Sequence, residues 1–186
     1  ALTGLFYRSR ISSEDEIPEK ERDKNFSLAI DQLNRLYSLC RQGSAYLQNR
    51  LDDPELKQDI ETEIAAWLGH AWQLSELKEA GLVQSDVELI QLAFRSKDDW
   101  TRQEYVDTGV WLNLNTGTIQ LTHNYRPYRA AKYVKEEDSC FHIVKCAELC
   151  VYPGKLTPRV RWDKAEIRPV LESDYRRAKE LAETDL

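Results

Sequence analysis

From Phe26 onward the apolar positions fall on an alternating four-three spacing: Phe26, Ile30, Leu33, Tyr37, Cys40, Leu47 and Leu51, with Ser44 in step. That spacing lines one face of a helix and predicts one over 26–51. Asp53 then offers an N-cap and Pro54 a first helical position. Leu56, Ile60, Ile64, Trp67, Ala71, Leu74 and Leu77 continue as a second stripe, and Gly81 suits a left-handed C-terminal stop. The joint at Asp53 is short, so 26–51 and 54–80 are expected to form an antiparallel helical hairpin. Ser85 and Glu88 have capping-box spacing, and Leu89, Ile90, Leu92, Ala93 and Phe94 would be the apolar side of a third helix.

Past Thr108 the period changes from helical to twofold. Val110, Leu112 and Leu114 alternate with Trp111 and Asn113. Asn115-Thr116-Gly117 supplies turn chemistry, and Ile119 and Leu121 alternate on the return. A β-hairpin pairing 110–114 with 118–122 follows. Further strands are expected at 141–144, 148–152 and 159–162, separated by Pro153-Gly154 and Pro158, and Ser173 can cap a short C-terminal helix through Ala178 and Leu181. The expected class is α+β: a helical hairpin plus third helix, a small, mostly antiparallel sheet and a C-terminal helix. The expected division is an N-terminal arm and linker over 1–25, a helical subdomain over 26–99 and a β-rich subdomain over 100–186.

Charge makes the two halves unlike. The net charge is −6, with 19 acidic against 12 basic side chains over residues 1–99 and 11 basic against 8 acidic over residues 100–170. An anionic partner is therefore expected on the second half only. No apolar run reaches the roughly 18 residues that would span a bilayer, and no signal-peptide pattern precedes the first helix. Cys40 is far from Cys140, Cys146 and Cys150, unlike a secreted disulfide scaffold, so the expected compartment is the reducing cytoplasm. The absence of methionine and a start at Ala1 lead us to expect a part of a larger protein.

Cys140, His142, Cys146 and Cys150 are zinc-ligand types at the wrong spacing. In an extended segment each residue rises about 3.3 Å, which separates Cys140 from Cys150 by roughly 33 Å. Packing is the expected role of these cysteines, and no cofactor or metal is assigned. His70 reads as a structural histidine on an aromatic-rich segment. His123 and Cys140 are the pair an unrecognised enzyme would use, with no local signature behind them. The segment from Asn124 to Lys135 interleaves cations and tyrosines: Tyr125, Arg126, Tyr128, Arg129, Lys132 and Lys135 are the candidate contacts. Arginine grips phosphate in a fork and tyrosine stacks on bases. Arg159 and Arg161 add cations on a neighbouring strand. The competing reading folds the tyrosines onto the sheet with the basic stems covering apolar surface. Trp67, Trp72, Trp100, Trp111 and Trp162 are expected chiefly in cores.

Gly109-Val110-Trp111-Leu112-Asn113-Leu114-Asn115-Thr116-Gly117, Asn124-Tyr125-Arg126-Pro127, and Tyr152-Pro153-Gly154 with Arg159-Val160-Arg161-Trp162 together resemble a region of uncharacterised bacterial proteins that also carry a SWIM-type zinc finger. The likeness covers roughly 60–165. A SWIM finger needs Cys-x-Cys followed by Cys-x-His, a succession this chain lacks, so no zinc ligand is carried over. The resemblance implies a non-enzymatic interaction or scaffolding domain of a larger bacterial protein, meeting nucleic acid or a protein partner. The alternative is an enzyme with its cleft between the helical and β halves.

Overall fold

The computed structural model describes residues 19–99, 102–131, 140–154 and 156–182. It is an α+β protein, and its chain divides into two compact units, residues 1–58 with 64–70, and residues 59–63 with 71–186. The expected N-terminal strand or arm over 1–10 lies outside the described residues, as do Trp100, Lys132 and Lys135.

The first unit is dominated by α1 (Glu19–Asp52), with the one-turn α2 (Ile64–Trp67) against it. The stripe that predicted α1 is largely exposed: Phe26, Ile30, Leu33, Tyr37, Leu47 and Leu51 all face solvent in substantial part. The buried positions are Ala29 and Gly43, and a Cβ on Gly43 would come within 2.9 Å of Leu68 Cδ2, so the bare glycine makes room for the Leu68 side chain.

The second helix of the expected hairpin does not form. Residues 54–63 are turn and irregular chain, helix resumes for four residues at Ile64, and Gly69 takes φ +107. Two local effects outcompete the stripe. The Asp59 carboxylate accepts from the backbone N–H of Glu61 at 2.9 Å and of Thr62 at 3.0 Å, a side-chain turn in place of a helical one. Gly69 then stops α2 in a conformation that other residues rarely adopt. Helix returns as α3 (Leu74–Glu79), ended by Gly81 at φ +72 as its position suggested.

The second unit is a six-stranded sheet: β1 (Val83–Asp99), β2 (Glu104–Asn113), β3 (Ile119–Pro127), β4 (His142–Val151), β5 (Val160–Arg161) and β6 (Glu166–Pro169). Val83–Asp99 replaces the expected third helix, so the helical subdomain expected to run to 99 stops before it. The hairpin of β2 and β3 stands as expected, with Val110 opposite Leu121 and Leu112 opposite Ile119. Gly117 takes φ +75 at its turn. The strands expected at 141–144 and 148–152 are one continuous strand, β4. A four-residue helix, α4 (Tyr128–Ala131), follows β3, and α5 (Glu172–Ala182) ends the described chain.

Strand order is β3-β2-β1-β4-β5, with β6 also on β4. Long β1 serves two neighbours: its first half pairs with β4 and its second half with β2, all antiparallel. A bulge at Leu92 shifts the register of β1 against β2. The sheet then returns on itself. Leu121 of β3 forms a parallel bridge with Arg159, and its N–H donates to the Pro158 carbonyl at 3.1 Å. The result is a small barrel, closed at that bridge and open beyond it.

Val87, Leu89, Trp111, Val144, Cys146, Leu149 and Val160 form its core. Burial pushes the Cys146 thiol up to about 11. Cys150 belongs to a separate cluster with Trp72 and Leu77 from the α3 side, and Trp67 is exposed. On the outer face, α5 packs Ala178 and Leu181 against Leu112, Leu114 and Ile143. Arg168 locks it there, donating to Asp174 at 2.6 and 2.9 Å and to Glu88 at 2.8 Å, while Arg177 reaches Glu88 at 2.7 Å. Leu171 N–H also donates to Asp174 at 2.9 Å, so the helix begins at Glu172, ahead of the expected Ser173 cap.

Candidate functional site: the open side of the barrel

Beyond the Leu121–Arg159 bridge, β3 and the chain leaving β5 part, and a cleft of about 610 Å³ lies between them. That volume suits a small ligand or a short piece of a long one. Thr122 to Tyr125 form one wall, Arg159 to Trp162 with Ala165 and Ile167 the other, and Gly109, Trp111 and Val144 the floor.

The floor depends on Gly109. A Cβ there would come within 2.6 Å of Trp111 Nε1 and 2.7 Å of Thr122 Oγ1. The bare glycine therefore lets the Trp111 indole lie along its own strand and donate to Thr122 at 2.9 Å. Trp162 meets Trp111 edge to face, with ring centroids 5.4 Å apart. One indole is thus buried and fixed, and it sets the orientation of the other, which is only partly covered.

The cleft's charge is settled by pairing. Asp107, buried at its end, is gripped at two points by Arg126, through Nε and through Nη2 at 2.9 Å. The guanidinium holds the Asp107 carboxyl below its ordinary range, mainly by hydrogen bonding and against the cost of burial. Arg159 and Arg161 also line the cleft, and no carboxylate among the described residues pairs with either. The Arg159 guanidinium lies 4.6 Å from the Tyr152 ring and 5.9 Å from the Tyr125 ring. Its Nε is buried without a hydrogen-bond partner.

His123 accepts or donates through Nδ1 with the Thr108 hydroxyl at 3.2 Å. Burial, and secondarily the charge of Arg159, lowers its pKa, so the ring is neutral near pH 7. Cys140 also borders the cleft, but its thiol donates to the His142 carbonyl at 3.7 Å and its backbone N–H to Gln91 Oε1 at 2.6 Å. No hydrogen bond joins His123 to Cys140. Among the described residues no three His, Cys, Asp or Glu side chains come together as a metal-binding group.

The basic-aromatic segment is dispersed by the fold. Tyr125 reaches the cleft and is exposed. Arg126 is buried and committed to Asp107, with Tyr105 5.4 Å from its guanidinium. The Tyr128 hydroxyl donates to Asp98, which raises its pKa to about 12, and its ring lies 5.0 Å from Tyr105. Arg129 is exposed on α4, and Lys132 and Lys135 lie outside the described residues. The structure instead gathers Tyr125 with Trp162, Arg159 and Arg161. The pattern Arg159-Val160-Arg161-Trp162, two cations and an indole around a buried valine, was the signal for this wall.

Comparison with family models, with curated proteins and with solved structures returned no match. No helix among the described residues is long and apolar enough to cross a membrane.

Proposed function

We propose that this chain is a non-enzymatic interaction module of a larger protein, and that its ligand seats in the cleft between β3 and β5. The observation that carries this reading is the makeup of the cleft: a rigid indole floor, a partly exposed second indole, and two arginines without carboxylate partners. Concave sites with an apolar, aromatic floor and a few convergent polar groups are the usual form of a binding site. The architecture adds weight. Five-stranded, partly open barrels of the OB type bind oligonucleotides and oligosaccharides on the side of strands 2 and 3 and on the loop between strands 4 and 5. Here that loop carries Tyr152 and Arg159. Fold-level analogy alone does not assign function, so the cleft chemistry is the primary support. The resemblance to proteins with a SWIM finger fits the same reading, with this chain as a part outside the finger.

Ala165 is exposed on the cleft wall, and Ala165→Trp would place an indole in the space from that wall. The test titrates wild type and Ala165→Trp with a short oligothymidylate and, separately, with a glutamate-rich peptide, following tryptophan emission. The reading expects at least one probe to change the wild-type emission and to lose binding in Ala165→Trp. Binding unaffected by the blocked cleft would refute it.

A further inference from the structure

We infer that the cleft is a site for single-stranded nucleic acid, with Arg159 as its phosphate anchor and Trp162 and Tyr125 as its stacking surfaces. The inference rests on the proposed binding role of the cleft and adds the chemistry of the ligand.

Arg159 is the central observation. Two tyrosine rings flank its guanidinium, a setting that fixes the plane of the fork and favours the cation. Its Nε is already withdrawn from solvent and has no acceptor. The donors a ligand can reach are the Nη groups, for which no acceptor stands among the described residues although Arg159 lines the cleft, and guanidinium binds phosphate through two parallel N–H donors. Arg161, exposed two residues on, lies at the spacing of the same strand face and offers a second phosphate contact. The one carboxylate lining the cleft, Asp107, is neutralised by Arg126, so the field within the cleft is positive although the chain is acidic.

The aromatic groups select the strandedness. Trp162 is partly exposed and held edge-on by Trp111, and Tyr125 is exposed across the opening. Rings of this kind stack on unpaired bases and offer little to bases still paired in a duplex. A cleft of about 610 Å³ admits one or two bases, while a duplex is too wide to enter it.

An extended peptide is the competing occupant. His123 and Tyr125 turn their backbone groups toward the open edge of β3, because Leu121, two residues before, turns its N–H toward Pro158. A peptide strand could pair there. It would leave Arg159 unsatisfied unless it carried a carboxylate, whereas every nucleotide brings both a phosphate for Arg159 and a base for the indole, so the observations favour nucleic acid.

The experiment measures fluorescence anisotropy of a labelled oligothymidylate, the same sequence as duplex, and a labelled glutamate-rich peptide, at several salt concentrations, with inorganic phosphate as competitor. The expected result is binding of the single strand well above the duplex and the peptide, weakened steeply by salt. Arg159→Ala and Arg161→Ala should each reduce the salt slope by about 0.7. Trp162→Ala should lower single-strand affinity by about 5- to 150-fold. Because Arg161 is exposed, Arg161→Ala keeps the test intact if Arg159→Ala unfolds. Equal binding of duplex, a salt slope unchanged in both arginine variants, or displacement by millimolar phosphate as effective as by unlabelled oligonucleotide would overturn the inference. Peptide binding that is lost in Ala165→Trp, with no oligonucleotide binding, would end the nucleic-acid assignment and leave the cleft as a protein-binding site. No binding of either probe would end both.

Discussion

Arg126 on β3 clamps Asp107 on β2 at two points, with Nη2 2.9 Å from Oδ1, and both side chains are almost wholly buried. The pair sits at the end of the cleft, where the three-stranded part of the sheet leaves the barrel. It ties those strands together and takes the most promising cation of the basic-aromatic segment out of contact with any ligand. Removing one member strands the other charge in a buried site, at about 3–5 kcal/mol. Asp107→Asn or Arg126→Ala should therefore lower unfolding free energy by that amount in urea titrations. If Arg126→Ala left stability unchanged but abolished ligand binding, Arg126 would be a contact and not a tie.

Gly109 makes room for the Trp111 indole. Gly109→Ala would push a methyl group into Nε1 of Trp111 and Oγ1 of Thr122. Overpacking of this kind costs about 1–3 kcal/mol. The variant should unfold at lower urea and show altered tryptophan emission, because the indole loses its bond to Thr122. Unchanged stability and emission would contradict the packing described for the floor.

The docking of α5 should depend on acid. Arg168 and the Leu171 N–H, against the opposing cost of burial, set the Asp174 carboxyl down at about 2, with the Arg168 hydrogen bond the largest cause. A depressed carboxylate stabilises the fold above its unfolded value near 4 and loses that contribution as pH falls through the folded value. Stability should thus fall from about pH 4 toward pH 2, and Asp174→Asn should flatten that dependence while destabilising at neutral pH by about 2–3 kcal/mol. Glu88, held low by Arg168 and Arg177, adds in the same direction. An unaltered acid limb in Asp174→Asn would refute the role of the Arg168 clamp.

The cysteines should separate by reactivity. Cys40 is exposed on α1, while Cys146 and Cys150 are buried and both have thiols shifted upward by burial. Thiolate is the reactive form, so near pH 8 a thiol reagent should modify Cys40 first and leave Cys146 and Cys150 until the protein is unfolded. Rapid modification of Cys146 in the native protein would contradict its place in the barrel core.

How far these features could be read from the sequence depends on which residues carry them. The β2–β3 hairpin was legible because strict alternation from Val110 meets a turn that Gly117 alone can complete. β1 was not, because the bulge at Leu92 shifts its alternation by one residue. Leu89, Ile90, Leu92, Ala93 and Phe94 then mimic the apolar side of a helix. Over 54–80 the stripe was real but local: Gly69, standing inside it, marked the break. The cleft was half legible. Tyr125, Arg159 and Arg161 were recognisable as basic-aromatic chemistry. Arg126 and Tyr128 differ from them only in having Asp107 and Asp98 across the sheet, a relation that strand register creates and local sequence cannot show.

The most direct test of the central claim is to map ligand contacts on isotope-labelled protein by NMR during titration with oligothymidylate. The account predicts that the largest shift changes fall at His123, Tyr125 and Arg159 to Trp162, including the Trp162 indole N–H, with α1 unaffected. Changes confined to α1 or α5, with the cleft signals unmoved at saturation, would contradict it.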